Sequence, residues 1–254
     1  MLTSLFKHIV YPSKSVSGKK LSEAFAGKWV VITGASSGIG EALTLRLIKA
    51  KARLFLIARS EEKLKSLCDK ASENGCEARY KAIDLRRRDE LDAWCKTLRG
   101  ELPKVSFLFC NAGKSIKRSI SSSIDRMHDF DRTMDLNYRS MVALSLALTP
   151  SLIAANGRIV YTSSVSSRYP FAPGWSAYHA SKCAANAWCR TARREQKELG
   201  VKVQIAYMPL VHTSMADVNE SYKNLPAYSA DEAACILLKL AMSNKFRYKP
   251  WWAL

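Results

Sequence analysis

Residues 29–40 read Trp29-Val30-Val31-Ile32-Thr33-Gly34-Ala35-Ser36-Ser37-Gly38-Ile39-Gly40. The first five are an unbroken β-branched apolar run, the pattern of a strand covered on both faces, as in a parallel sheet. The run passes straight into a glycine-rich turn, and a helical pattern follows over 40–50. Glycine allows the tight turn and lets the backbone come close to a ligand. A strand, such a turn and a helix N-terminus together make a cradle for a pyrophosphate, because the first helical N–H groups are unpaired and the helix dipole favours an anion there. Gly34, Ser36, Ser37, Gly38, Ile39 and Gly40 are therefore candidate dinucleotide contacts.

Outward from this unit the alternation continues. Apolar strand-like runs occur at 53–58, 79–83, 105–110, 158–162 and 201–207, with a last one at 246–249. Helical patterns at 61–74, 90–98, 130–153, 177–199 and 231–242 separate them. This order predicts an α/β fold over residues 27–254: a single Rossmann-type doubly wound parallel sheet with helices on both faces. Residues 1–26 read as a basic amphipathic extension. Leu2, Leu5, Phe6, Ile9 and Val10 share one helical face, and Lys7, Lys14, Lys19 and Lys20 surround or follow it. Such a segment docks on the body, on a second subunit or on an anionic membrane surface.

Composition narrows the class. The 254 residues are 48% hydrophobic and 24% charged, which excludes a mainly disordered or collagen-like chain. A formal charge of +18 favours an anionic ligand or partner. Seven cysteines without a CxxC pair point to reduced thiols and a cytoplasmic protein, at most peripheral on the inner membrane face. The four histidines have no metal-ligand spacing, so no metal is expected. The longest uncharged stretch, 140–157, contains Pro150 and reads as a buried helix ending near that proline rather than a membrane span. Arg86-Arg87-Arg88 and the Arg190, Arg193, Arg194, Lys197 face lack interleaved aromatics, so no nucleic-acid partner is expected.

The second strand ends Ile57-Ala58-Arg59-Ser60. A carboxylate for the ribose hydroxyls of NAD is missing, and the Arg59 guanidinium suits a 2′-phosphate, so NADP(H) is the expected cofactor. Asp84, followed by Leu85 just past the third strand, suits an adenine edge or the N-cap of the next helix. Tyr178-His179-Ala180-Ser181-Lys182 puts a phenol and an ammonium on one helical face, where the cation favours phenolate and makes Tyr178 a usable acid. Ser164, fourteen residues upstream at a strand end, can orient a carbonyl oxygen, with Ser163 as the alternative. Asn111, Ala112 and Gly113 leave room for a nicotinamide ribose.

At these residues the chain resembles the short-chain dehydrogenase/reductase family. The matching pieces are TGASSGIG (33–40), Asp84, CNAG (110–113), Asn137, Ser163-Ser164 and YHASK (178–182), in the family's order and over residues 27–245. The resemblance implies hydride exchange between a nicotinamide and a carbonyl or alcohol, and assembly as a homodimer or homotetramer. It implies that Tyr178 gives the proton, that Lys182 lowers its pKa and holds the ribose, and that Ser164 positions the substrate oxygen. It also implies that Asn137 anchors a water chain to Lys182, and it extends the cofactor contacts to Leu85, Pro209, Val211 and Thr213. Cys110 stands where the family more often has Asn, and the Ser164–Tyr178 spacing is one residue longer than usual.

Two longer stretches, 110–140 and 207–234, are similar to bacterial fatty acyl-CoA reductases, which share the leucine of Pro209-Leu210. That branch implies reduction of an acyl-CoA to a fatty aldehyde. Met208, Leu210, Val211, Met215, Val218 and Leu225 then read as a lid over an acyl chain. Lys114, Lys117 and Arg118 read as attractors of coenzyme A phosphates or an acidic carrier. Members of the branch continue past the corresponding last helix, and Trp251-Trp252 reads as apolar cover, a membrane-interface anchor or a subunit contact. A 3-oxoacyl thioester or keto-sphingoid ketone reductase is the alternative. A non-catalytic nucleotide-binding scaffold is a weaker one, since a scaffold needs no complete Ser/Tyr/Lys/Asn set.

Overall fold

The computed structural model describes residues 9–253, the side chain of residue 99 excepted. At its centre, β1 (Trp29–Thr33) pairs on one side with β2 (Arg53–Ala58), which carries β3 (Ala78–Ala82) at the edge. On its other side follow β4 (Phe107–Cys110), β5 (Arg158–Ser164), β6 (Lys202–Met208) and β7 (Arg247–Tyr248). All these pairings are parallel, and the strand order reverses direction at β1, so a crevice opens between the C-terminal ends of β1 and β4. The doubly wound sheet expected from the alternation is the one observed.

Alternate residues of each strand enter two cores. Val30, Ile32, Leu54, Leu56, Phe107 and Phe109 meet α1 (Gly18–Phe25), α2 (Gly38–Lys49), α3 (Glu61–Glu73) and α8 (Ala230–Ala241). Val31, Phe55, Ile57, Leu108, Ile159 and Tyr161 meet α4 (Arg88–Glu101), α6 (Ser140–Ala154) and α7 (Ser176–Glu195). Each large apolar side chain so buried contributes about 1.5–3 kcal/mol relative to exposure. This two-sided burial is why the strands read as continuous apolar runs.

Three details differ from the sequence expectation. Leu21 and Phe25 of α1 belong to the first core, and the Phe25 ring lies 4.5 Å from that of Phe107. Part of the stretch read as an extension is thus packed into the body; Leu2, Leu5 and Phe6 lie outside the described residues. The segment read as one helix over 130–153 is α5 (Met127–Met134), a π-helical turn at Asp135–Arg139, and α6. Pro150 is accommodated inside α6, which runs on to Ala154.

Arg86, Arg87, Arg88 and Arg193 are engaged within the chain. Arg86 pairs with Asp84 at 2.6 Å, Arg87 with Glu90 at 2.5 Å and Arg88 with Asp135 at 2.8 Å, and Arg193 lies 4.5 Å over the Phe246 ring. Among the described residues no helix is long and apolar enough to cross a membrane.

Candidate active site

The glycine turn is held against the neighbouring strands. The Gly34 and Ala35 amides donate to the Ile57 carbonyl at 2.8 and 3.2 Å, and Thr33 Oγ1 accepts from the amides of Asn111 and Ala112 at 3.0 and 2.9 Å. Gly34 has φ +68°, and a Cβ there would stand 3.0 Å from Ala112 Cα. A Cβ on Gly40 would stand 2.0 Å from the Gly34 carbonyl oxygen. Ser37, at the cap position of α2, makes no side-chain cap bond, so the first-turn amides face the crevice for an anion.

Next to this turn, Arg59 is exposed at the end of β2. Asp84 is gripped by Arg86, whose Nη2 and Nε donate to it at 2.6 and 2.9 Å and whose amide donates at 3.1 Å. That grip holds the Asp84 carboxyl below its ordinary value. Asp84 is not the N-cap of α4, which starts at Arg88 with Arg87 in the cap position. The Leu85 side chain is buried in the second core. Burial lowers the Lys114 ammonium, and Arg132, Arg86 and Arg59 push it the same way.

The other end of the crevice holds the reactive set. Ser164 Oγ and the Tyr178 hydroxyl are hydrogen-bonded, and Ser166 N donates to Ser164 Oγ at 3.2 Å. Ser163 is buried against Ser167 at 3.2 Å, so Ser164 is the serine that meets the tyrosine. Lys182 is 4% exposed, donates to the Thr162 carbonyl at 2.8 Å, and is pushed down by burial to about 7. Burial raises the Tyr178 phenol, while the Ser164 hydrogen bond pulls it down. The Lys182 ammonium lies 5.9 Å from the Tyr178 ring, on the same face of the helix.

Asn137, fully buried at the π turn, accepts from the Lys114 amide at 2.8 Å and donates to the Lys114 carbonyl and to Ser181 Oγ, both at 2.9 Å. Its side chain clamps the 111–114 turn to α7 rather than touching Lys182. A π turn inserts one residue into a helix and is frequent at functional sites.

One cavity of about 1080 Å³ brings together Gly34, Ser37, Gly38, Ile39, Asn111, Ala112, Gly113, Ser164, Tyr178, Lys182, Pro209, Val211 and Thr213. Ser36, Gly40, Arg59, Asp84, Leu85 and Asn137 stand outside its wall. Lys114 and Lys117 line it, whereas Arg118 is turned to the buried Asp129 at 3.0 Å, which Arg126 and Arg132 also hold. Leu210, Met215, Val218 and Leu225 add apolar surface to its wall, the last three exposed.

Several wall residues were not foreseen. Trp175 stacks on Tyr222 (6.1 Å, 6°) and meets Tyr178 edge-on at 6.1 Å. Val10, Tyr11 and Trp252 also line the cavity. The loop carrying Met215 to Leu225 is closed at its root by a two-residue pairing of Val211–His212 with Tyr228–Ser229. Two-residue strands leave no periodic signal, and a lone tryptophan before a helix reads as ordinary core.

This sheet and this Ser/Tyr/Lys set define an α/β oxidoreductase domain. The short chain dehydrogenase family matches residues 28–224, and the chain belongs to that family. It is 38% identical over 225 residues to a fatty acyl-CoA reductase of Acinetobacter baylyi, covering 87% of this chain and 76% of that protein. It is 33% identical over 225 residues to a fatty acyl-CoA reductase of Mycobacterium tuberculosis, covering 88% of this chain and 76% of that one. Among solved structures it resembles an alcohol dehydrogenase of Thermococcus sibiricus complexed with 5-hydroxy-NADP, with TM-score 0.75 and 26% identity, covering 87% of this chain and 94% of the other.

Proposed function

We propose that this protein is an NADPH-dependent reductase of lipid-like carbonyls whose substrate is a fatty acyl thioester, reduced to the aldehyde. The cofactor fits the residues present. The Gly34–Gly40 turn and the open N-terminus of α2 suit its pyrophosphate, and Arg59 with Lys114 and Arg86 nearby suits a 2′-phosphate. When bound, the reduced nicotinamide supplies the hydride. What carries the reading is the Ser164–Tyr178 hydrogen bond, set in a cavity that combines apolar surface with Lys114 and Lys117. The acyl-CoA reductases among the relatives support the thioester.

In the proposed reaction Ser164 donates to the carbonyl oxygen of the thioester. As hydride adds to the carbon, Tyr178 transfers its proton to that oxygen, giving a hemithioacetal. The hemithioacetal hydroxyl returns its proton to Tyr178 as the C–S bond breaks and the thiolate leaves, to be protonated from solvent. One hydride and one proton are consumed, and aldehyde and free thiol are formed. Lys182 would hold the nicotinamide ribose, and Asn137 fixes the 111–114 turn beside it. The apolar surface takes the acyl chain at roughly 0.8 kcal/mol per buried methylene.

A 3-oxoacyl thioester or keto-sphingoid base would use the same four residues. NADPH oxidation with acyl-CoAs, 3-oxoacyl thioesters and simple aldehydes, with products identified, separates these. Aldehyde plus free thiol is expected, and a hydroxyl with the thioester intact would overturn the thioester assignment. For partners we propose a homo-oligomer, checked by light scattering, and contact with anionic lipid through residues 1–26. Vesicle binding that survives combined Lys14→Glu, Lys19→Glu and Lys20→Glu substitution would refute the latter.

A further inference from the structure

Two segments distant in sequence are joined at the cavity rim. The Trp252 indole N–H donates to the Val10 carbonyl at 3.0 Å, and that of Trp251 donates to the Ile9 carbonyl at 3.0 Å. The Tyr11 ring lies 6.2 Å from that of Trp252 and 5.1 Å from that of Tyr228, and its hydroxyl is hydrogen-bonded to the Leu210 backbone. Leu210 and Tyr228 flank the two ends of the apolar loop, and the Tyr228 amide donates to the Leu210 carbonyl at 3.1 Å. This clasp is therefore tied to the root of the loop.

Its two sides differ. Val10, Tyr11 and Trp252 line the same cavity as Ser164 and Tyr178, whereas Ile9 is 54% and Trp251 70% exposed. The clasp thus presents one side to the cavity and the other to solvent. The Tyr11 hydroxyl and the Trp252 N–H are both engaged within the protein. The surface they leave for a ligand is chiefly ring face and aliphatic carbon, which matches hydrocarbon.

We infer that Val10, Tyr11 and Trp252 are specificity-determining residues: the distal part of an extended apolar substrate lies along them as it leaves the cavity, and they set the preference for long chains. The inference rests on the lipid-like carbonyl proposed above. A short substrate ends before the clasp and is indifferent to it, whereas a long one gains contact there. Each methylene contact removed costs roughly a fourfold loss in kcat/KM.

The test compares kcat/KM for octanoyl-CoA and palmitoyl-CoA, and in parallel for octanal and hexadecanal, in the full chain and in Val10→Ala, Tyr11→Ala, Tyr11→Phe and Trp252→Ala. The alanine variants are expected to lower the long-to-short ratio by roughly tenfold, with octanoyl turnover and the KM for NADPH unchanged. Tyr11→Phe, which keeps the ring, is expected to retain the ratio. Folded variants with an unchanged ratio, an equal loss at both lengths, or a change only in the KM for NADPH would overturn the inference. Should neither acyl-CoA react while the aldehydes show the expected loss of ratio, the thioester assignment falls and the clasp stands.

Discussion

The Lys182 ammonium donates to the Thr162 carbonyl at 2.8 Å and lies 5.9 Å from the Tyr178 ring. The two side chains thus share one face of α7 above the end of β5, as their four-residue spacing implies. Burial presses on both in opposite senses, keeping the phenol protonated and the ammonium easily discharged. A protonated tyrosine is the form that a reductive step requires.

That pressure on Lys182 has a stability signature. Its folded value is about 7 against an ordinary 10.5, so between these pH values the unfolded chain binds more protons. Stability then rises with pH across this window, by up to about 1.4 kcal/mol per pH unit from this group, and the contribution is flat below pH 7. Denaturant unfolding from pH 7 to 10 is expected to show this slope in the wild type and to lack it in Lys182→Met. Equal slopes would refute the burial account.

Replacing the acid should separate chemistry from binding. Tyr178→Phe is expected to lower kcat by about 10²–10⁴-fold. The KM for NADPH should hardly move, because the ring is kept. Ser164→Ala should lose less, since only one donor to the carbonyl oxygen is removed. Steady-state kinetics with the best substrate checks both, and unchanged turnover in Tyr178→Phe would displace it from the acid's role.

Cofactor preference should reside in Arg59. A charge-assisted hydrogen bond is worth about 1.5–3 kcal/mol, so Arg59→Ala is expected to weaken NADPH binding roughly ten- to hundredfold and leave NADH unaffected. Titration of intrinsic fluorescence with each nucleotide measures this. A parallel loss for both would place the 2′-phosphate elsewhere.

The packing of α1 makes a further prediction. Phe25 is fully buried against Phe107, so Phe25→Ala is expected to cost about 3–5 kcal/mol of unfolding free energy. A negligible loss in urea unfolding would mean that α1 is an appendage after all.

What the sequence discloses is what is local. The 29–40 strand and turn and the Tyr178/Lys182 pair were legible because each depends on neighbours a few residues away. The π turn at Asn137 was hidden inside an unbroken helical pattern, since one inserted residue scarcely alters periodicity. The serine alternative was decided by which hydroxyl reaches the phenol, a fact of tertiary packing. The clasp joins Val10 to Trp252 across nearly the whole chain, and nothing near either residue announces the other. The engagement of Asp84 with Arg86 depends on side-chain geometry that composition does not carry.

The pairing of Val211–His212 with Tyr228–Ser229 ties off the intervening loop as a separate flap with anchored hinges. Its Tyr222 stacks on Trp175, which meets Tyr178 edge-on, so a change in the flap's content reaches the phenol through one ring. A grafted flap that keeps an aromatic ring against Trp175 would therefore alter the cavity wall while leaving the neighbour of the phenol in place.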